Sequence, residues 1–200
     1  MANRIAVVDT SIANYSEIIS QIAPGIEVIV IDAAQDGWSQ LAGLLAGYTD
    51  ITTLDIISHG ADGSVWLGNQ ALDSSNLGQH AQALADIGSH LAVGADVMLY
   101  GCNIGADIAG QGFITALGQA LNADVAASID LTGSAQLGGN WTLETQNAGA
   151  VIEAAPLALD GFTGLLAGNL APTAGDPLGG SSHYTQAPTC LANCTPRTKV

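Results

Sequence analysis

Basic residues are almost missing from this chain: three Lys and Arg stand against eighteen Asp and Glu, a formal net charge of −15 over 200 residues. Two of the three, Arg197 and Lys199, fall in the last four positions, so residues 1–170 keep Arg4 alone against seventeen acids. Such a surface repels phosphate backbones and argues against a nucleic-acid partner. It suits a soluble protein in salt-rich or extracellular surroundings, with cationic partners. Long apolar runs are absent too. None approaches the roughly 18 residues needed to cross a bilayer, so no membrane span is expected. Met1-Ala2-Asn3-Arg4 passes straight into Ile5-Ala6-Val7-Val8, without the charged and apolar regions of a cleavable signal peptide. Export is therefore expected to proceed without one, and a cytoplasmic location stays open.

Cysteine is scarce. Three in 200 residues are too few for a disulfide scaffold. Cys190 and Cys194 can pair with each other in the tail, which leaves Cys102 as the one cysteine of the body. With His183 the tail pair makes three ligands without a fourth, a poor match to a zinc site. His80 and His90 lie ten apart on a predicted helix and do not share a face, so no metal site is expected. Nucleotide-binding glycine fingerprints, the G-x-S-x-G elbow and H-E-x-x-H are all missing. Nucleotide enzymes, serine hydrolases of the elbow type and zincins drop out with them.

What is there is a well-stocked core. Apolar residues make up 48%, and 200 residues allow one domain with a full hydrophobic interior. The apolar period alternates between strand and helix. Strands are predicted at Arg4–Asp9, Ile26–Asp32, Thr52–Ser58, Asp96–Tyr100, Asp124–Ser128 and Trp141–Glu144, with a short hairpin arm at Val65–Asn69. Helices are predicted over Ile12–Ile22, over Trp38–Leu45 capped by Asp36, over Leu77–Leu91 closed by Gly94, and over Ala106–Leu121. Alternation of this kind gives an α/β fold with a mostly parallel sheet and helices on both faces. Right-handed crossovers put the strand carboxyl ends on one edge. Residues 1–166 form the predicted domain. Residues 167–200, rich in Gly, Pro, Ser and Thr, read as a linker or tail.

Two tripeptides sit at strand ends: Ser58-His59-Gly60 and Gly101-Cys102-Asn103. A cysteine nucleophile acts as thiolate and needs a base beside it. His59 can supply that base, and a helix beginning a few residues after Cys102 adds a partial positive charge. The amides of Gly60 and Cys102 are candidate donors to an oxyanion. A lone cysteine at a buried strand end is most often a core residue, and a lone histidine there a structural one. It is the pair on one edge, each beside a glycine, that points to chemistry. Substrate contacts are sought at Asp107, Ser128 and Asp130; an acidic pocket floor there would select Arg or Lys. Each has a competing role as helix cap or turn residue, and for Asp107 the cap is favoured. Asp55, inside the third strand, is a candidate to orient His59.

A strand ending in Ser58-His59-Gly60 and another ending in Tyr100-Gly101-Cys102-Asn103 resemble the catalytic pattern of the caspase-like cysteine peptidases, the group of caspases, gingipains, clostripain and separase. More narrowly, residues 4–160 resemble the bacterial family called domain of unknown function 4347. The likeness runs through Val8-Asp9, Asp36-Gly37, Leu67-Gly68, Ala123–Ser128, Leu131-Thr132-Gly133 and Gly138–Glu144. The resemblance implies a caspase-like three-layer αβα sandwich with a mostly parallel six-stranded sheet, His59 as general base and Cys102 as nucleophile. It also implies a place near the start of large bacterial surface or secreted proteins, ahead of cadherin-like or calcium-binding repeats. Asn169–Ala174 is similar to the lead-in to such repeats. The expected function is a cysteine endopeptidase acting on a protein or peptide, its own parent chain included. The alternative is a non-catalytic adhesin head of the same fold. No cofactor is required; calcium dependence is an expectation from the acidic surface and the repeat context.

Overall fold

The computed structural model describes residues 3–167. The expected tail, with Cys190, Cys194 and His183, lies outside the described residues except for Ala167. In chain order the elements are β1 (Arg4–Asp9), α1 (Tyr15–Gln21), β2 (Glu27–Ile31), α2 (Gly37–Leu44), β3 (Ile51–Ile57), β4 (Gly60–Ala61), β5 (Ser64–Leu67), β6 (Gln70–Asp73), α3 (Ala81–Ser89), β7 (Leu91–Tyr100), α4 (Ile108–Leu121), β8 (Asp124–Ala127) and β9 (Thr145–Gln146). Six strands make the main sheet in the order β2-β1-β3-β7-β8-β9, and β4-β5-β6 form a small second sheet. Pairing is parallel from β2 through β8, and β9 joins antiparallel.

Alternation along the strands divides the core in two, as a sheet covered on both faces requires. In β1, Ile5 and Val7 join a cluster with Trp38 and Leu41 of α2, Leu84 and Ile87 of α3, and Phe113 and Leu117 of α4. Ala6 and Val8 face the other side, among Ile18 of α1, Tyr100, Trp141, Leu157, Phe162 and Leu166. The result is a three-layer α/β sandwich. Its second outer layer carries one helix, α1, and is completed by irregular segments on either side of β9, between Leu131 and Leu166. Among the described residues no helix is long and apolar enough to cross a membrane.

Three elements differ from the sequence expectation. The sixth strand is Thr145–Gln146, pairing with Ala127 and Ala126, not Trp141–Glu144. Trp141 instead points into the second core, its ring 5.9 Å from Tyr100 and 6.0 Å from Phe162; burying so large a side chain overrides the local strand pattern. The helix expected over Leu77–Leu91 is a 3₁₀ turn at Leu77–His80 followed by α3. Leu91 already belongs to β7, paired with Ile51 across a register shift. Gly94, at φ +72°, lies within that strand beside the exposed Val93 and does not close the helix. The second outer layer is also less helical than expected, because residues 131–166 lack a helical period.

Candidate active site at the carboxyl edge

Strand order reverses between β1 and β3: the chain runs from β1 out to β2 and returns on the other side as β3. The crevice above such a switch point is where open α/β sheets hold ligands. His59 follows β3 there, and Cys102 follows the neighbouring β7. Ile57 is paired with Tyr100, and the Ser58 amide donates to the Tyr100 carbonyl at 3.0 Å. The two tripeptides thus leave the sheet side by side. Their backbones are in contact: a Cβ on Gly101 would lie 3.0 Å from the Gly60 nitrogen, and one on Gly60 would lie 2.9 Å from the Cys102 carbonyl oxygen and 2.6 Å from Cγ1 of Ile104. Only glycine fits this approach.

Asp9, at the end of β1, fastens the loops around the crevice. Its carboxylate is fully buried and accepts from the Gly68 amide at 2.6 Å, the Ser11 amide at 2.7 Å and Oγ of Ser58 at 3.1 Å. One buried acceptor with three donors ties the ends of β1, β3 and β5 together. Nothing in the sequence reading gave Asp9 a role; an acid closing an otherwise apolar strand was the available signal.

His59 is oriented by main chain on both sides. Its Nε2 lies 3.3 Å from the Ser11 carbonyl oxygen and its Nδ1 lies 3.2 Å from that of Leu166. A neutral imidazole carries one N–H and can donate to only one of them. Asp55 does not orient this ring. It sits four residues back, about 13 Å along a strand, and forms a bidentate ion pair with Arg4 at 2.7 and 2.9 Å. The lone cation of the described residues is thereby committed inside the fold.

The Cys102 sulfur is buried and meets Thr132, accepting from its amide at 3.2 Å and donating toward its carbonyl at 3.7 Å. Among the described residues no hydrogen bond joins this sulfur to His59. Burial pushes the thiol up from its ordinary range, and the charge of Asp130 adds to the push. The amides of Thr132 and Leu166 and its own offset part of it. The thiol is therefore protonated at rest.

The three residues sought as substrate contacts have taken structural partners. Asp107 caps α4, accepting from the amides of Ala109 at 2.5 Å and Gly110 at 3.3 Å. Ser128 and Asp130 build the loop that supports Cys102. Asp130 accepts both of its 3.0 Å bonds from Nδ2 of Asn140, and Ser128 bonds to Asp130. Their carbonyls receive the amides of Gly105 and Asn103, at 2.9 and 2.8 Å. Among the described residues no group of three or more His, Cys, Asp or Glu side chains is placed to hold a metal ion.

Thr132 and Leu166 are the site residues that sequence reasoning missed. The run Gly164–Leu166 crosses the crevice as an extended strap. The Leu166 amide donates to Thr132 at 2.9 Å, the Ser134 amide donates to Gly164 at 2.8 Å, and the Gly60 amide donates to Leu166 at 3.4 Å. A cleft of about 540 Å³ beside the strap is lined by Gly133, Gly139, Trp141 and Leu157 among others. A family model described as Domain of unknown function (DUF4347) matches residues 5–166. No curated protein matches the chain.

Proposed function

Because the chain belongs to the family described as Domain of unknown function (DUF4347), we propose that it supplies that family with a caspase-like cysteine endopeptidase activity, Cys102 acting as nucleophile and His59 as general base. The observation that carries this is the delivery of His59 and Cys102 by adjacent parallel strands, β3 and β7, to one edge at the switch point, with the Gly60 amide between them facing a peptide carbonyl.

The reaction follows from the placement. With Nε2–H donating to the Ser11 carbonyl, Nδ1 keeps its lone pair and receives the thiol proton as sulfur attacks a substrate carbonyl. The resulting imidazolium has carbonyl acceptors at both ring nitrogens. The Gly60 amide stabilises the oxyanion. Its 3.4 Å reach to the resting carbonyl shortens as charge develops on oxygen, since such donors are aimed at the oxyanion and not at the ground state. A thiol pushed up by burial makes this a general-base mechanism rather than a preformed ion pair. The acidic balance supports a surface or secreted setting, within a larger protein that is itself the natural peptide substrate.

The rival reading, a non-catalytic adhesin head, is favoured by one feature: the sulfur is buried and has no bond to the imidazole. The two separate on a peptide library read by mass spectrometry. The endopeptidase reading expects cleavage that disappears in Cys102→Ala and in His59→Ala, while both variants keep their circular dichroism. Equal cleavage by parent and Cys102→Ala, or none by either, refutes it and leaves the adhesin reading.

A further inference from the structure

The strap over the crevice is arranged as a peptide is held by a peptidase. Gly164–Leu166 pairs antiparallel with Thr132–Ser134 through two main-chain bonds, Ser134 to Gly164 and Leu166 to Thr132, with Gly133 opposite Leu165. This is strand addition, the usual way an extended peptide is gripped through its backbone. The Leu166 side chain is fully buried in the cluster that contains Cys102 and Tyr100. Its carbonyl oxygen meets both Nδ1 of His59 at 3.2 Å and the Gly60 amide at 3.4 Å. Ala167 then emerges to solvent beside Gly60. A residue anchored by its side chain, with its carbonyl against the base and the oxyanion donor and the next residue leaving the site, occupies the position that precedes a scissile bond.

We infer that the Leu166–Ala167 peptide bond is the substrate of this site in cis, and that the site selects leucine before the cut. The inference rests on the endopeptidase reading above and gives it a bond and a specificity. The Cys102 sulfur bonds to the Leu166 carbonyl carbon as its proton passes to His59, and the carbonyl π pair moves to oxygen. Collapse breaks the bond to Ala167, whose amine leaves with the proton from His59. Water then attacks the thioester, the sulfur–carbon bond breaks, and the products are a Leu166 carboxylate and the restored thiol. The acidic residues once sought as a pocket for Arg or Lys have other partners, whereas the pocket that is occupied is apolar.

The test uses the full 200-residue chain, followed by intact mass and by sequencing of new amino termini. Expected are fragments 1–166 and 167–200 from the parent, none from Cys102→Ala, and retention in Leu166→Met. Leu166→Lys is expected to slow the cut by more than about tenfold, an apolar pocket rejecting a charge. Because Leu166 is buried, Ala167→Pro serves as a second variant. Its exposed position tolerates the ring, a bond before proline resists this cleavage, and the cut should stop while the melting temperature holds. A fluorogenic Phe-Thr-Gly-Leu-Leu amide, compared with its Arg- and Asp-ended analogues, reads specificity separately. Cys102-dependent cleavage at another bond, or hydrolysis of the Arg-ended peptide in preference, overturns this inference and leaves the endopeptidase reading standing. Cleavage at Leu166 that persists in Cys102→Ala overturns it as well. No Cys102-dependent cleavage of chain or peptide overturns both.

Discussion

Replacing Arg4 by methionine removes the one cation that the described part of the molecule contains and strands the carboxylate it holds. Asp55 is fully buried, with both oxygens on the guanidinium of a partly exposed Arg4. Burial pushes its carboxyl above the ordinary carboxylate range even with Arg4 pulling the other way. Methionine fills the space of the stem and supplies neither charge nor donors. Breaking a buried pair from one side costs about 3–5 kcal/mol, or roughly 10 °C in Tm for a domain of this size. The loss must depend on pH, and its sign is set. Below the unfolded-state carboxylate value Asp55 is neutral in both states, so the variant loses only packing and neutral hydrogen bonds. The unfolded chain is common to both proteins and cancels from the difference. Once Asp55 of the parent ionises beside Arg4 while that of the variant, without the cation, stays protonated, the deficit grows by up to about 1.4 kcal/mol per pH unit until the group of the variant also ionises. Urea unfolding followed by tryptophan fluorescence at pH 4, 5, 6 and 7 measures this, with Trp38 and Trp141 as buried reporters. Asp55→Asn placed on top of Arg4→Met should flatten the pH dependence. A deficit under about 1 kcal/mol at pH 7, or one equal at pH 4 and pH 7, refutes the reasoning.

Tyr100→Phe removes the oxygen that accepts the Leu157 amide at 2.7 Å inside the second core and should cost about 1–3 kcal/mol in the same unfolding assay; no loss would mean that water or a shifted chain replaces the oxygen. Cys102, buried and with its thiol pushed up, should alkylate with iodoacetamide only slowly near neutrality and faster above the ordinary thiol range, as read by peptide mapping; a fast rate unchanged between pH 6 and pH 8 would show a preformed thiolate. The same upward push means that the stability Cys102 contributes is complete below the unfolded thiol value and falls as pH rises through the folded one. With a formal charge of −15, raising sodium chloride from low ionic strength to about 0.5 M should raise Tm by screening self-repulsion, and a fall in Tm would contradict that expectation.

How much was legible follows from where the interactions are local. Strands β1, β2, β3 and β8 are short apolar runs bounded by turn residues. The caps Asp36 and Asp107 announce their helices because a cap acts within three residues. His59 and Cys102 could be placed on one edge because crossover handedness fixes where strand ends lie. The rest depends on distant partners. Asp55 and Arg4 meet through the register of β1 on β3, which pairs Arg4 with Thr53, and no local pattern encodes that. Thr132 and Leu166 belong to the irregular layer between Leu131 and Leu166, held by main-chain bonds that carry no side-chain signature. Trp141 reads as a strand residue in isolation and becomes a core residue only once Tyr100 and Phe162 are beside it.

The commitment of Arg4 to Asp55 also decides how this body meets proteases. Between residues 3 and 167 there is one Lys or Arg, and it lies at the start of β1 with its side chain held by a buried carboxylate. An enzyme that cuts after basic residues has a single bond to attack there, within a strand hydrogen-bonded on both sides to β2 and β3. Amine-reactive reagents find no lysine on the same stretch. Trypsin-like digestion of a larger protein carrying this domain would thus be directed to its flanks and leave the sandwich as an intact piece.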